Sequence, residues 1–214
     1  GEMEAIARVV QKHQGVFIMS DEVYEHILFE GEHVSMASFD FIYNRVITVN
    51  AVSKAYAMTG WRIGYIGAPK WIVSACDKLQ GQFTSGVSSI AQRAALAALS
   101  QSDDSRRMMR DAFLRRRDLI CNLLKEIEGL KVRIPQGAFY VLPDISFYLG
   151  KSDGEKTIKT SDDLALWLLE KAQVAVVGGD AFGAPDCIRI SYANSDDLLA
   201  EAVKRIKEAL AKLR

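Results

Sequence analysis

The sequence predicts an α/β fold followed by a smaller α+β module. Three observations carry that expectation. Val16–Met19 is a short apolar run that gives way to Ser20, Asp21 and Glu22, the pattern of a buried parallel strand with polar residues at its carboxyl end. Thr48–Gly67 is bounded by β-branched and apolar residues, Val46, Ile47 and Val49 before and Ile63 and Ile66 after, so it reads as strand, loop, strand with the polarity in the loop. Beyond Gly129 the pattern changes to short strands, Lys131–Ile134, Phe139–Leu142, Val174–Val177 and Cys187–Tyr192, with helices between and after them.

Taken in order, Glu2–His13 places Met3, Ile6, Ala7, Val9 and Val10 at helical spacing, with Gly15 as the stop. Asp21, at the end of the first strand, reads equally as the N-cap of a short helical turn and as a ligand-facing carboxylate. Phe29–Arg45 reads as a loop with a short helix, its aromatics Phe39, Phe41 and Tyr43 packed in the core. After the returning strand and Pro69 comes a helix from Trp71 to about Gln80, a polar connection over Gln82–Ser89, and an alanine-rich helix over Ile90–Leu99. Ser102, Asp103 and Asp104 open a long helix of about 103–128, with acids in its first turn as the helix dipole favours. Its six arginines alternate with aspartates, which reads as a solvated face rather than a grip on nucleic acid. This helix is expected to bridge two domains, 1–115 and 116–214. Gly150–Lys159 reads as a mobile surface loop, Ser161–Ala172 as a helix with a serine cap, and Ser195–Leu213 as a helix opening on Ser195 with Asp196 and Asp197 in its first turn.

Of the 214 residues, 27 are Lys or Arg and 27 are Asp or Glu, so net charge supplies no reason to expect nucleic acid or an anionic membrane as partner. No apolar run approaches the roughly 18 to 20 residues of a membrane span, and GEMEAIARVVQKHQG lacks a signal-peptide core, which together predict a cytoplasmic protein. Cys76, Cys121 and Cys187 lie far apart without a Cys-x-x-Cys, and His13, His26 and His33 lack metal-ligand spacing, so neither disulfides nor a metal are expected.

The unusual chemistry lies in SKAYAMTGWRIG. A lysine that condenses with a carbonyl must be desolvated enough to be neutral near pH 7, whereas an arginine stays charged and forks onto phosphate or carboxylate. Lys54 among small residues, with Ser53 before it and Arg62 eight positions on, suggests a carbonyl cofactor with a phosphate handle. A Ser-Lys pair alone would read as a solvated turn. The full string, however, resembles the cofactor-lysine signature of the class I and II aminotransferases, which bind pyridoxal phosphate on fold type I, and overall similarity points to the aspartate aminotransferase branch.

The resemblance implies that this chain is the later part of a large cofactor domain, with a mixed, mostly parallel sheet, followed by the small α+β domain. DEVY resembles the family's Asp-x-x-Tyr element, implying that Asp21 pairs with the pyridinium nitrogen and Tyr24 with the phenolic oxygen of the ring. Ser53 and Arg62 would bind phosphate, the more so because Ala51 stands where many relatives have serine. Arg189, in CIRISYANS, reads on its own either as half of a salt bridge or as a ligand site; the resemblance implies that it clamps the substrate α-carboxylate. QGAFY implies that Phe139 edges the substrate pocket. The expected activity is transamination between an amino acid, aspartate or similar, and a 2-oxo acid in a homodimeric parent, with this chain a fragment inactive alone. A β-lyase and the aminotransferase-like effector domain of a transcription regulator are the alternatives, because the same residues serve related reactions and folds.

Overall fold

The computed structural model describes all 214 residues, and internal contacts divide them into two units, Gly1–Arg110 and Asp111–Arg214. In the first unit, helix α1 (Glu2–Gln11) precedes strand β1 (Ile18–Asp21), which pairs in parallel with β2 (Val46–Ala51); β2 pairs antiparallel with β3 (Gly64–Gly67). The β1 strand starts two residues later than expected and includes Ser20 and Asp21, because Asp21 still pairs with Val49. The α1 helix ends before Gly15, capped by Lys12 in ordinary right-handed geometry. Ala7, Met36, Ile42 and Val46 form a small core, with Phe39 and Phe41 packed against it. Tyr43 does not join them: it is exposed, because it opens a 3-10 turn that leads out to Arg45. Arg45 uses its guanidinium instead to gather the carbonyls of Val10, His13 and Val16, which ties the end of α1 to the start of the sheet.

Helix α2 is the single turn Val52–Ala55, α3 is Lys70–Phe83 and α4 is Ser89–Ser100, so the polar connection between the last two is shorter than its composition indicates. Helix α5 (Asp104–Lys125) runs through the boundary between the units. Its arginines are not a uniformly solvated face. Arg106 reaches His26 at 2.8 Å, Arg110 donates to the Leu28 carbonyl at 2.7 Å, and Arg117 is buried, donating to Asp118 and to the Pro135 carbonyl. Long basic side chains bury their stems readily, and charge alternation does not reveal which of them find a partner. No helix is long and apolar enough to cross a membrane.

The second unit is built on an antiparallel sheet in the order β4-β6-β5, with β4 at Tyr140–Val141, β5 at Val177–Gly178 and β6 at Ile188–Ser191. The expected strand at Lys131–Ile134 reduces to one bridge, Lys131 with Asp144. Helix α6 (Ser161–Ala172) buries Leu164, Trp167 and Leu168, and α7 (Asp196–Leu210) buries Leu199, Val203, Ile206 and Leu210, the three- and four-residue spacings of a single helical face. The cap of α6 is Thr160, not Ser161. Its hydroxyl accepts from the Asp163 amide while Asp163 accepts from the Thr160 amide, and Ser161 is free to turn inward and accept from the Gly179 amide. Ser195 stands at the N-cap of α7 without a side-chain capping bond.

Gly150–Lys159 is not a mobile loop but a pinned turn. Its backbone pairs Gly150 with Ile158 and Ser152 with Arg214, Ile158 is fully buried, and the Asp153 carboxylate accepts from the Trp167 indole at 2.8 Å and from the Glu155 and Lys156 amides. These bonds, the indole's first, hold the Asp153 carboxyl down at about 2 from an ordinary 3.8. A depressed carboxyl stabilises the fold above its unfolded value and ceases to do so as pH falls through its folded one. Asp153→Asn is therefore expected to lower the urea midpoint at neutral pH, and the gap from the parent protein should close as pH falls from 3.8 to about 2. Trp167 fluorescence reads both transitions; a gap that persists unchanged to the acid end would contradict the assignment.

Candidate functional site

The parallel pairing of β1 with β2 determines where the first unit can do chemistry. Side chains alternate across a sheet, so Asp21 shares one face with its partner Val49 and with Ala51, while Ser20 and Thr48 point to the other. Immediately after β2 the chain turns through α2. Val52 and Ala55, three positions apart, are both buried, which leaves Ser53 and Lys54 on the open side of the turn. The sequence places Lys54 in a loop, and the structure gives it one helical turn instead. So short a turn has too few residues to show a period, and its Val52 and Ala55 anchors look like ordinary small apolar residues in the sequence.

Beyond α2 the backbone is bent twice into the left-handed region, at Ala57 (φ 53°) and Arg62 (φ 54°), on either side of a 3-10 turn over Thr59–Trp61. Neither is glycine, so each conformation costs about 1–2 kcal/mol and persists because the surroundings require it. The second bend sends Arg62 back along the turn, where it donates to the Thr59 carbonyl at 2.7 Å.

These elements enclose a cavity of about 840 Å³, within the usual range for a small-molecule site. Asp21, Ser53, Lys54 and Arg62 all line it, with Asn50 beside them and α3 contributing Asp77 and Gln80. Tyr24 does not line it, but its ring centre lies 6.0 Å from the Lys54 amine. The Asp21 carboxylate, the Lys54 amine, the Ser53 hydroxyl and the Arg62 guanidinium around a single cavity form a set that fits a compact molecule carrying a basic nitrogen, a carbonyl and a phosphate.

Behind Asp21 lies a residue whose importance could not be read from the sequence. Glu22 is buried, which pushes its carboxyl up, yet bonds from His33 (3.0 Å), Ser35 (2.9 Å), Ser20 and the Met36 amide (3.2 Å) outweigh burial and hold it below the usual carboxylate range. Its own amide donates to Val49, so the residue following Asp21 is tied to β2 through its backbone and to residues 33–36 through its side chain. Three residues on, Glu25 accepts from Asn50 at 2.6 Å. The available signal is the Glu-Glu spacing in DEVYE, which has no meaning until the distant His33–Met36 segment is brought to it.

In the second unit, Arg189 lies in β6 with Val177 of β5 as its pairing partner. No salt bridge forms. Its guanidinium carbon sits 4.2 Å from the ring centre of Phe182 and 4.6 Å from that of Tyr140. Phe139 stacks on Phe113 at 5.1 Å.

A family described as aminotransferase class I and II matches residues 1–206. The chain belongs to this family. Among its aminotransferase relatives, a bifunctional aspartate aminotransferase and glutamate/aspartate-prephenate aminotransferase of Petunia hybrida is 48% identical over 99% of this chain and 45% of its own length. The crystal structure of an aspartate aminotransferase from Rhizobium meliloti is 45% identical and superposes with a TM-score of 0.92, covering 97% of this chain and 52% of that one. An aspartate aminotransferase structure from Thermus thermophilus with maleate is 40% identical, with a TM-score of 0.86 over 97% of this chain and 51% of that one. The α/β fold is thus that of aspartate aminotransferase structures, and the chain spans about half the length of the curated aminotransferases it matches.

Because Glu22 joins three separate segments of this chain, Glu22→Ala should destabilise the protein by about 1–3 kcal/mol, the cost of stranding buried donors. Urea unfolding measures it. A loss no larger than that of an exposed substitution such as Glu32→Ala would show that the bonds contribute nothing net.

Proposed function

We propose that this chain forms part of a pyridoxal-phosphate-dependent aminotransferase that moves an amino group between aspartate or a similar amino acid and a 2-oxo acid. The observation that carries the reading is the grouping of Asp21, Ser53, Lys54 and Arg62 around one cavity. The names of the relatives support the substrate class, as does the maleate, a dicarboxylate, that accompanies the Thermus thermophilus enzyme. The same reading makes the full-length protein a cytoplasmic homodimer.

Pyridoxal phosphate, when bound, supplies an electron sink for the charge left at the substrate α-carbon. The residues of this chain would do the rest. The Asp21 carboxylate, at the cavity end of β1, would hold a proton on the ring nitrogen, since a neighbouring anion favours the cationic form. The Lys54 amine would anchor the cofactor, take the proton from the substrate α-carbon as general base and deliver it to the cofactor as general acid. Ser53 and Arg62 would bind phosphate, the fork of the guanidinium matching two phosphate oxygens. The Tyr24 hydroxyl would steady the phenolic oxygen of the ring. Arg189 would receive the substrate α-carboxylate, with Phe139 at the edge of the pocket.

Adding pyridoxal phosphate to the purified chain, reducing with borohydride and mapping peptides by mass should find the adduct on Lys54, and Lys54→Ala should abolish both it and the long-wavelength absorption band. Adducts spread evenly over surface lysines would reject the site. In the full-length protein, Lys54→Ala is expected to lower transamination of aspartate with 2-oxoglutarate by about 10²- to 10⁴-fold, while Asp21→Asn should keep cofactor bound and still lose most of the rate. Unchanged turnover in either variant would remove that residue from the mechanism.

A further inference from the structure

We propose that Phe182 and Tyr140 are positioning residues that hold Arg189 as a preformed receptor for a single carboxylate. The inference rests on the role given to Arg189 above and adds how the protein keeps that role open. A half-buried arginine ordinarily recruits an acid. Arg189 has none, and no protein acceptor takes any of its guanidinium N–H groups; its polar environment consists of two aromatic rings at 4.2 and 4.6 Å. An aromatic face attracts the cation through its quadrupole without accepting an N–H bond. The charge is thereby steadied while the five donors of the fork remain for a ligand, and a carboxylate meets such a fork with two parallel bonds.

Both rings are placed by the backbone rather than by chance contact. Tyr140 pairs with Ser191, two residues along β6 from Arg189, so it is the diagonal neighbour of Arg189 on the same face of the sheet. Phe182 closes the 3-10 turn Asp180–Phe182 that follows β5, the strand paired with Arg189. That turn is clamped. The Gly179 amide donates to the Cys187 carbonyl at 2.8 Å and to Ser161, and the Phe182 amide donates back to Gly179 at 2.9 Å. A Cβ on Gly179 would run into the backbone carbonyls of Ala184 and Cys187, so that position admits no side chain, and one on Gly178 would have to displace the Asp162 carboxylate. The two glycines allow the strand end to come close enough for Phe182 to reach Arg189.

The test uses the chain without cofactor, so it does not depend on Lys54. In a proton–nitrogen correlation spectrum the Arg189 Nε–Hε signal, identified by its loss in Arg189→Lys, should be displaced upfield by the two rings and should move further on titration with sodium succinate. Phe182→Leu, at an exposed position that leaves the core intact, should reverse most of the ring displacement and weaken succinate binding at Arg189 about two- to fivefold, the span of an exposed cation–π contact; Tyr140→Leu should do the same, with the amide spectrum confirming that both variants are folded. Succinate affinity unchanged in both variants, or an Arg189 signal without ring displacement, would overturn the proposal. If Lys54 takes no cofactor and the Arg189 results still hold, the aromatic pair stands as a carboxylate receptor and the transaminase reading fails; if Lys54 is labelled and the Arg189 results do not hold, the reverse is true.

Discussion

The first unit depends on one register, the parallel alignment of Asp21 with Val49. It brings the carboxyl end of β1 beside the end of β2, from which the chain turns at once into the helical residues that present Ser53 and Lys54. A shift of one residue would move Asp21 to the far face of the sheet and leave the amine and guanidinium facing a serine. The register is held from both sides. Just after β2, Val52 and Ala55 bury the underside of the lysine turn, and just after β1 Glu22 draws in residues 33–36. The charges at the cavity are exposed or half-exposed, whereas the charge that secures them, Glu22, is buried and fully bonded. The carboxylate that lines the cavity and the one that ties the strand end in place are thus different residues, adjacent in the chain.

The second unit solves a related problem with different means. It must keep a cation on a strand without neutralising it, and it does so with aromatic rings rather than an acid. The interior beneath β6 is strongly apolar: Ile188, Ile190 and Tyr192, which alternate with Arg189 along the chain, are all buried. Burial pushes the Tyr192 hydroxyl far above its ordinary range, consistent with a side chain that serves packing and donates to the Ala138 carbonyl rather than titrating.

Several apolar side chains of the first unit remain open to solvent, among them Met19 at 75%, Phe83 at 83% and Ile90 at 73% exposed. Helix α3 buries none of its residues. In a chain that spans about half the length of its relatives, a sheet of three strands with one helix face uncovered is a smaller shelter for a site than the lining residues alone would indicate. The cavity is nonetheless outlined by this unit's own residues, because the strand ends and the lysine turn are local to one another.

The sequence by itself determined the alternation of elements, the chemical types gathered in Asp21, Lys54 and Arg62, and the family, because those depend on composition and short-range spacing: apolar runs, a small-residue setting, a twelve-residue string. Only the tertiary structure decided which charges are paired. Arg189 and Arg117 are both arginines drawn back from solvent, yet one meets rings and the other meets Asp118 and a carbonyl. Gly150–Lys159 has the composition of a loose loop, yet Asp153 finds Trp167 and Ser152 finds the last residue of the chain. Glu22 finds its partners in His33, Ser35 and Met36, a segment the chain reaches only after a full turn and loop. A polar side chain acquires its role from the atoms that replace water around it, and those atoms come from segments whose proximity is set by packing, not by order along the chain.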